Sequence, residues 1–250
     1  WEWQGKSQEG NRYNMDEVVS VYTELYQALE RAGLHHDIEI DAGEVVEYTA
    51  ALSDANYQSF TNSNSSYSGG MNGTGNGLYR NYINELLGSR TLRDKIGNKI
   101  SLHGYFSDIW LDRMGRLRDE ILKNVKAVSP NAKIWMSEFS ILGGTGDARA
   151  FEGNGWDVND MDFALHVAKV LHRDLTRLNV SAWHWWLGVT PYNYKDGLIK
   201  VNSELESSSI QTSKVLWMLG QYSRFIRPGY TRVSLDNVDD LSGVMASAYK

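Results

Sequence analysis

The sequence predicts an α/β fold built as part of an eight-stranded β/α barrel of the TIM type. Three observations predict it. Short apolar runs with strand character alternate with amphipathic helical stretches, which is the pattern of parallel β/α units rather than of a sandwich or a bundle. Four such strands can be read, half of a barrel of eight. After Pro228-Gly229 the texture changes to alternating residues at 231–235 and 242–249, the beginning of an antiparallel β appendage. The expected division is therefore a barrel portion over 1–228 and an appendage over 229–250, and 250 residues suffice to bury a real core.

The elements follow in order. Asn14 is suited to cap a helix beginning near Met15, because its side-chain oxygen accepts from the first free backbone N–H groups. Val18, Val19, Tyr22, Leu25, Tyr26 and Leu29 recur at helical spacing, and Gly33 ends the pattern. Residues 37–41 alternate as a strand does, with Ala42-Gly43-Glu44 as the turn after it. Residues 53–77, rich in Ser, Asn, Gly and Tyr, bury too little apolar area for a regular element and read as a long surface loop. That loop is either a solvated excursion or a binding loop served by Tyr57, Tyr67 and the nearby Tyr79. A helix at 82–87, a strand at 99–106, a helix at 112–128 and a strand at 133–139 come next. After a Gly-rich loop at 141–155, Asn159 is expected to cap a helix with Phe163, Leu165, Val167, Val170 and Leu171 on its apolar side. The fourth strand is expected at 180–187. The last helix spans about 209–225 and stops before Pro228, whose ring cannot continue it.

Composition narrows the partners. The net charge of −6 comes with no dense Lys/Arg run, so the electrostatic footprint of nucleic acid or an anionic membrane is missing and neither is expected. There is no Cys, hence no disulfide framework and no thiolate metal site. No Walker loop, dinucleotide fingerprint or HExxH is present, so neither a cofactor nor a metal is expected. No apolar run approaches the roughly 20 residues of a membrane-spanning helix, and the first residues lack the regions of a signal peptide. Nine Trp and fourteen Tyr supply flat faces suited to sugar rings. The chain opens on Trp1-Glu2-Trp3-Gln4, aromatic residues that something preceding them would normally enclose.

In a β/α barrel the site lies where the strands run out. Here those ends carry Asp41 and Glu44, then His103-Gly104-Tyr105, then Trp135-Met136-Ser137-Glu138, then Trp183-His184-Trp185-Trp186. Glu138 is either a surface glutamate at a strand end or a carboxylate at the barrel mouth, where a nucleophile meets an anomeric carbon. The polar and aromatic residues at matching ends favour the second reading. His103 and Tyr105 fall on one side of their strand by the period-two rule, and both can donate to a neighbouring carboxylate. They orient Glu138, or they are a core histidine and a packing tyrosine. Trp183 and Trp186 are the candidate stacking platforms. At least one of Trp183, Trp185 and Trp186 packs between barrel and helix, because neighbours on a strand face opposite ways.

Taken together the residues resemble glycoside hydrolase family 30 across nearly the whole chain. The resemblance rests on Trp3, Gln8-Glu9-Gly10-Asn11, His103-Gly104-Tyr105, Trp135-Met136-Ser137-Glu138 and the run from Gly220 to Gly229, the last being the most specific. Within the family the opening segment is most similar to the endo-β-1,6-galactanase group. The resemblance implies a β/α barrel fused to a β-sandwich, of which this chain holds the second half, strands five to eight, and the start of the sandwich. It implies hydrolysis of a β-linked oligosaccharide or polysaccharide with retained configuration through two carboxylates. Glu138 matches the nucleophile on the seventh strand, and substrate is expected to meet His103, Tyr105, Trp183, Trp186, Trp3 and Asp41. The family's general acid/base lies in an Asn-Glu-Pro motif that this sequence does not contain, and it is expected upstream of Trp1; Glu2 and Glu9 sit outside any such motif. A half-barrel exposes strand edges and apolar helix faces, so self-association through them is expected. The resemblance also implies a secreted or periplasmic location. Two competing readings are a carbohydrate-binding protein that kept the aromatic platform without hydrolysis, and a fragment inactive by itself.

Overall fold

The computed structural model describes residues 14–45, 48–52, 82–105, 107–108, 113–141, 159–191, 196–201, 209–236 and 244–250. Two compact units divide the chain, one of residues 1–139 with 177–184 and one of residues 140–176 with 185–250. The segments holding Trp3, Glu2, Glu9, Tyr57, Tyr67 and Tyr79, and the Gly-rich loop from 142 onward, lie outside the described residues.

The first unit opens with α1 (Met15–Arg31), begun by a capping box in which Asn14 accepts from Glu17 N at 3.0 Å and Glu17 Oε2 accepts from Asn14 N at 2.8 Å. Gly33, at φ +72°, ends it as expected. The first strand differs from expectation. Residues 37–41 form no strand, and β1 (Gly43–Val45) consists of residues read as the turn. Alternation requires only an extended chain with one side covered, which Ile40, buried beside exposed Ile38, satisfies without pairing. Pairing begins where β2 (Lys99–His103) offers groups, with Ser101 N donating to Ala42 O at 2.9 Å.

Between β1 and β2 lie a 3-10 turn (Tyr48–Ala51), a π turn (Asn84–Gly88) inside the expected helical region, and α2 (Arg90–Lys95), which the apolar pattern did not signal. A π turn (Arg113–Leu117) leads into α3 (Arg118–Val128), then β3 (Lys133–Glu138). The fourth strand, β4 (Ala182–Trp183), is shorter than the expected 180–187. The four strands pair in parallel in chain order, β1-β2-β3-β4, as a β/α barrel lays them down. Ile100, Leu102, Ile134 and Met136 on one face are buried, as are Leu86, Leu87, Leu117, Ile121 and Val125 from the helical segments. Each such side chain contributes about 1.5–3 kcal/mol when fully buried. The other face is polar and aromatic, with Lys99, Ser101 and His103 on β2 beside Trp135 on β3.

In the second unit α4 (Met161–Arg173) is capped by Asp160, not Asn159, with Asp160 Oδ1 accepting from Phe163 N at 2.9 Å. Leu165 is 52% exposed and so leaves the apolar side, because two residues advance a helix by about 200° from Phe163. A small sheet then appears that the sequence pattern did not signal: β5 (Val189–Thr190) runs parallel to β6 (Ile199–Val201), which runs antiparallel to β7 (Ile210–Thr212). Residues 209–213, expected as helix, are thus strand and cap. Helix α5 (Lys214–Phe225) starts only where Ser213 Oγ accepts from Leu216 N at 3.1 Å. Beyond Pro228, β8 (Arg232–Val233) and β9 (Ala248–Tyr249) form the antiparallel pair expected of those residues.

Candidate active site

Two irregularities in the first unit's ladder build the site. Regular pairing of β2 with β3 sets Ser101 opposite Trp135 and Leu102 opposite Met136, but the next pair is His103 with Glu138. Skipping Ser137 moves Glu138 from the apolar face, where strict alternation after Met136 would send it, to the face that carries His103. A second irregularity lies in β1, where Gly43 pairs with Ser101 and Val45 with Leu102, leaving Glu44 as the extra residue. Glu44 takes φ +69°, a left-handed conformation that costs a non-glycine residue roughly 1–2 kcal/mol. Gly43, at φ +131°, makes this possible: its N–H donates to Tyr22 Oη at 2.8 Å, and Tyr82 Oη donates to Ser101 O at 2.7 Å across the space a Cβ would fill.

The result is a cluster around His103. Its Nε2 lies 2.7 Å from Glu44 Oε2 and 3.7 Å from Glu138 Oε2. Tyr105 Oη donates to Glu138 Oε1 at 2.7 Å. Tyr105 is in the turn after β2 rather than on the strand, so the period-two argument for it fails, yet both residues reach Glu138. Gly104 fastens that turn by donating its N–H to Glu138 O at 2.8 Å, and an added Cβ there would press on Met136 and Phe139. One carboxylate oxygen of Glu138 is therefore gripped and the other lies beyond hydrogen-bond range of the nearby imidazole. Removing the grip is expected to matter. Tyr105→Phe deletes a hydrogen bond to an ionised group, worth about 1.5–3 kcal/mol, so turnover of any substrate attacked by Glu138 should fall about 10- to 100-fold in steady-state kinetics, with folding unchanged by circular dichroism.

The neighbouring carboxyls are tuned in opposite directions. Burial raises Glu44, but the hydrogen bond and charge of His103, the hydroxyl of Ser137 and the charge of His184 outweigh it and hold the carboxyl below its ordinary range. For Asp41 burial prevails: it is raised, despite the hydrogen bond from Ser101 Oγ and the charges of Lys99 and His184, with Glu44 adding to the rise. A carboxyl raised in the folded state binds protons more readily there than in the unfolded chain, so its ionisation lowers stability as pH rises through the folded value. Asp41→Asn, which keeps an acceptor for Ser101, should raise the melting temperature at neutral pH. The gain should vanish below the ordinary Asp range, which melts at the two pH values would read.

Below these residues Lys99 is buried, with Nζ 3.4 Å from Glu39 Oε1 and 3.8 Å from the centre of the Trp135 ring. The Trp135 ring in turn meets His184 edge-on at 5.8 Å. Trp183 is half-buried with its ring 6.1 Å from Phe139. Trp186 belongs to the second unit and is 46% exposed, and Trp185 Nε1 there donates to Asp196 O at 2.6 Å. The structure thus brings Glu138, His103 and Tyr105 together, sets Asp41 beside Ser101 of β2, and leaves Trp3 outside the described residues. Glu44 stood at a strand end in the sequence but was not singled out. Its signal was Gly43, since an isolated Gly beside a short strand marks a bulge. Among the described residues no group of His, Cys, Asp and Glu is arranged to hold a metal.

The first unit is thus a parallel α/β sheet in chain order, with carboxylates, a histidine and a tyrosine clustered where its strands end. The chain belongs to O-glycosyl hydrolase family 30, whose model matches residues 1–200. Among solved structures it is similar to a conserved exported protein from Bacteroides fragilis, at 24% identity and a TM-score of 0.70, over 100% of this chain and 50% of that one. It is similar to a family 30 endoxylanase from Clostridium papyrosolvens, at 16% identity and a TM-score of 0.55, over 98% of this chain and 44% of that one. The catalytic domain of a family 30 xylanase C from Talaromyces cellulolyticus matches at 17% identity and a TM-score of 0.50, over 89% and 39%. At these identities the likeness is one of fold, an α/β barrel type. The chain spans half or less of the length of each.

Proposed function

We propose that this chain carries the nucleophile of a retaining glycosidase that acts on a β-linked polysaccharide. The observation that supports the reading most directly is the grip on Glu138, one oxygen held by Tyr105 and the other directed into the cluster beside His103. In such a reaction the free oxygen of Glu138 attacks the anomeric carbon. The bond to the leaving oxygen breaks as a second carboxyl delivers a proton to it, and water then hydrolyses the glycosyl ester with that carboxyl acting as base. His103, Trp183, Trp3 and Asp41 are proposed to bind the sugar, and Trp186 is proposed separately as a stacking face.

Glu44 does not fit the role of acid. A general acid must hold its proton near the working pH, and Glu44 is held below its ordinary range. Asp41 is raised but lies beside Ser101, earlier on the strands than His103. The acid is therefore sought outside the described residues. The opening segment's similarity to the endo-β-1,6-galactanase group makes β-1,6-galactan the first substrate to try, and the names of two similar proteins make xylan the second. An exported location is proposed with it, on the resemblance and on the description of the Bacteroides fragilis protein as exported. Among the described residues no helix is long and apolar enough to cross a membrane.

A second reading is carbohydrate binding without hydrolysis, which the aromatic residues at the strand ends support equally. A panel of β-1,6-galactan, xylan and β-glucan, with reducing ends counted and the first product's anomer read by NMR, separates the two. Release of product with retained configuration supports the glycosidase. Inverted product overturns the retaining mechanism, and measurable affinity without product transfers the case to the binding protein.

A further inference from the structure

Resting on the reading of Glu138 as nucleophile, we infer that Glu44 is its positioning residue: by holding the Nε2 proton of His103, it keeps Glu138 Oε2 unencumbered. A carboxylate oxygen only accepts, so the 2.7 Å approach of His103 Nε2 to Glu44 Oε2 requires the proton on that nitrogen. The same nitrogen lies 3.7 Å from a second acceptor, Glu138 Oε2, outside hydrogen-bond range. Tyr105 has already taken Oε1. Among the described residues, the two side-chain donors beside the Glu138 carboxylate are thus divided, Tyr105 anchoring it and His103 drawn away from the oxygen left over. A lone pair committed to a hydrogen bond attacks poorly, and without an anion at Glu44 the imidazole has an anionic acceptor within a small ring movement.

The backbone supports this assignment independently. Glu44 reaches His103 only because it is the extra residue of a bulge at φ +69°, seated on a glycine whose missing Cβ admits Tyr82. Conformations of that kind persist where the surrounding structure enforces them, and they cluster at sites where a side chain must be aimed. Among the described residues, the titratable groups around the imidazole include Glu44 from β1, Glu138 from β3 and Tyr105 from the turn after β2, with His184, just after β4, acting on Glu44 through its charge. Glu44 stays anionic in this setting, so it continues to accept when the carboxylate of Glu138 is consumed and restored through the cycle.

The test compares Glu44→Gln and Glu44→Asp with the unaltered protein, measuring kcat and KM on the cleaved polysaccharide and the side-chain nitrogen resonances of His103. The amide of Glu44→Gln is a neutral and weaker acceptor, so the imidazole should turn to Glu138. kcat should drop about 10- to 100-fold, the scale of a misplaced catalytic group, with KM within about twofold, and Glu44→Asp should recover part of the loss. The His103 nitrogen shifts should change. An unchanged kcat overturns the assignment, as does a rise in KM alone, which would make Glu44 a substrate contact. If the unaltered protein cleaves nothing, the glycosidase reading fails on that result. The resonances then decide the remainder: His103 signals identical in Glu44→Gln overturn the coupling, and altered ones sustain it.

Discussion

Glu138→Gln is expected to remove turnover, with a loss on the order of ten-thousandfold or more in kcat, the range found when a residue that does chemistry is deleted. Gln matches the volume of Glu and keeps an oxygen for Tyr105, so the geometry that sets Tyr105 Oη 2.7 Å from Oε1 can survive. What is lost is the anionic oxygen able to form the glycosyl ester. Sugar affinity, read by calorimetry on the inactive variant, should remain within a few-fold, since the aromatic and hydroxyl contacts are untouched. Retained cleavage would overturn the assignment of Glu138. Loss of both cleavage and affinity, with an altered circular dichroism spectrum, would place Glu138 in the fold instead.

The second large effect is on stability. Gly43→Ala puts a methyl group into the space held by Tyr82 Oη and Ser101 O, well inside contact distance, at a backbone φ of +131° that side chains disfavour. Neither neighbour yields cheaply, because Tyr82 is fully buried and Ser101 O is the backbone of the fully buried β2. Overpacking costs about 1–3 kcal/mol and a left-handed conformation about 1–2 more, so destabilisation of about 3 kcal/mol or more is expected. In thermal melts that corresponds to a fall of roughly 6–12 °C for a domain of this size. Activity should fall further than stability, because the methyl group also displaces Glu44. A variant that melts like the unaltered protein would show that β1 does not take the bulged path.

How far the sequence carried can be judged from particular residues. The alternation of strands and helices gave the parallel sheet in chain order, and Asn14 and Gly33 marked both ends of α1, since capping and helix termination are local chemistry. The same locality explains the misses. Ser213 was hidden as a cap because Ile210 to Thr212 are short enough to pass for a helical turn, and only pairing with β6 makes them a strand. Leu165 reads as apolar core by composition but falls on the wrong side of α4 by angle. In the candidate site His103, Tyr105 and Glu138 were legible as strand-end residues, and the structure brings them together. Their mode of meeting was not, because two register shifts decide it and a register belongs to a pair of strands. Glu44 was passed over for that reason, its role depending on a φ angle and on a partner 59 residues away.

The paired bulges have a consequence for how this molecule can change. A side chain placed by a rotamer drifts by degrees, whereas one placed by a register has two settings, facing the cluster or facing the helices. Between Gly43 and Val45, and between Met136 and Glu138, adding or deleting one residue is therefore a switch with no intermediate position, and gradual adjustment of the chemistry by length is closed off there. Loops that follow the strands carry no such constraint. Diversification of what the site accepts is channelled into those loops, while the spacing of Glu44, His103 and Glu138 behaves as a fixed unit that is kept whole or lost whole.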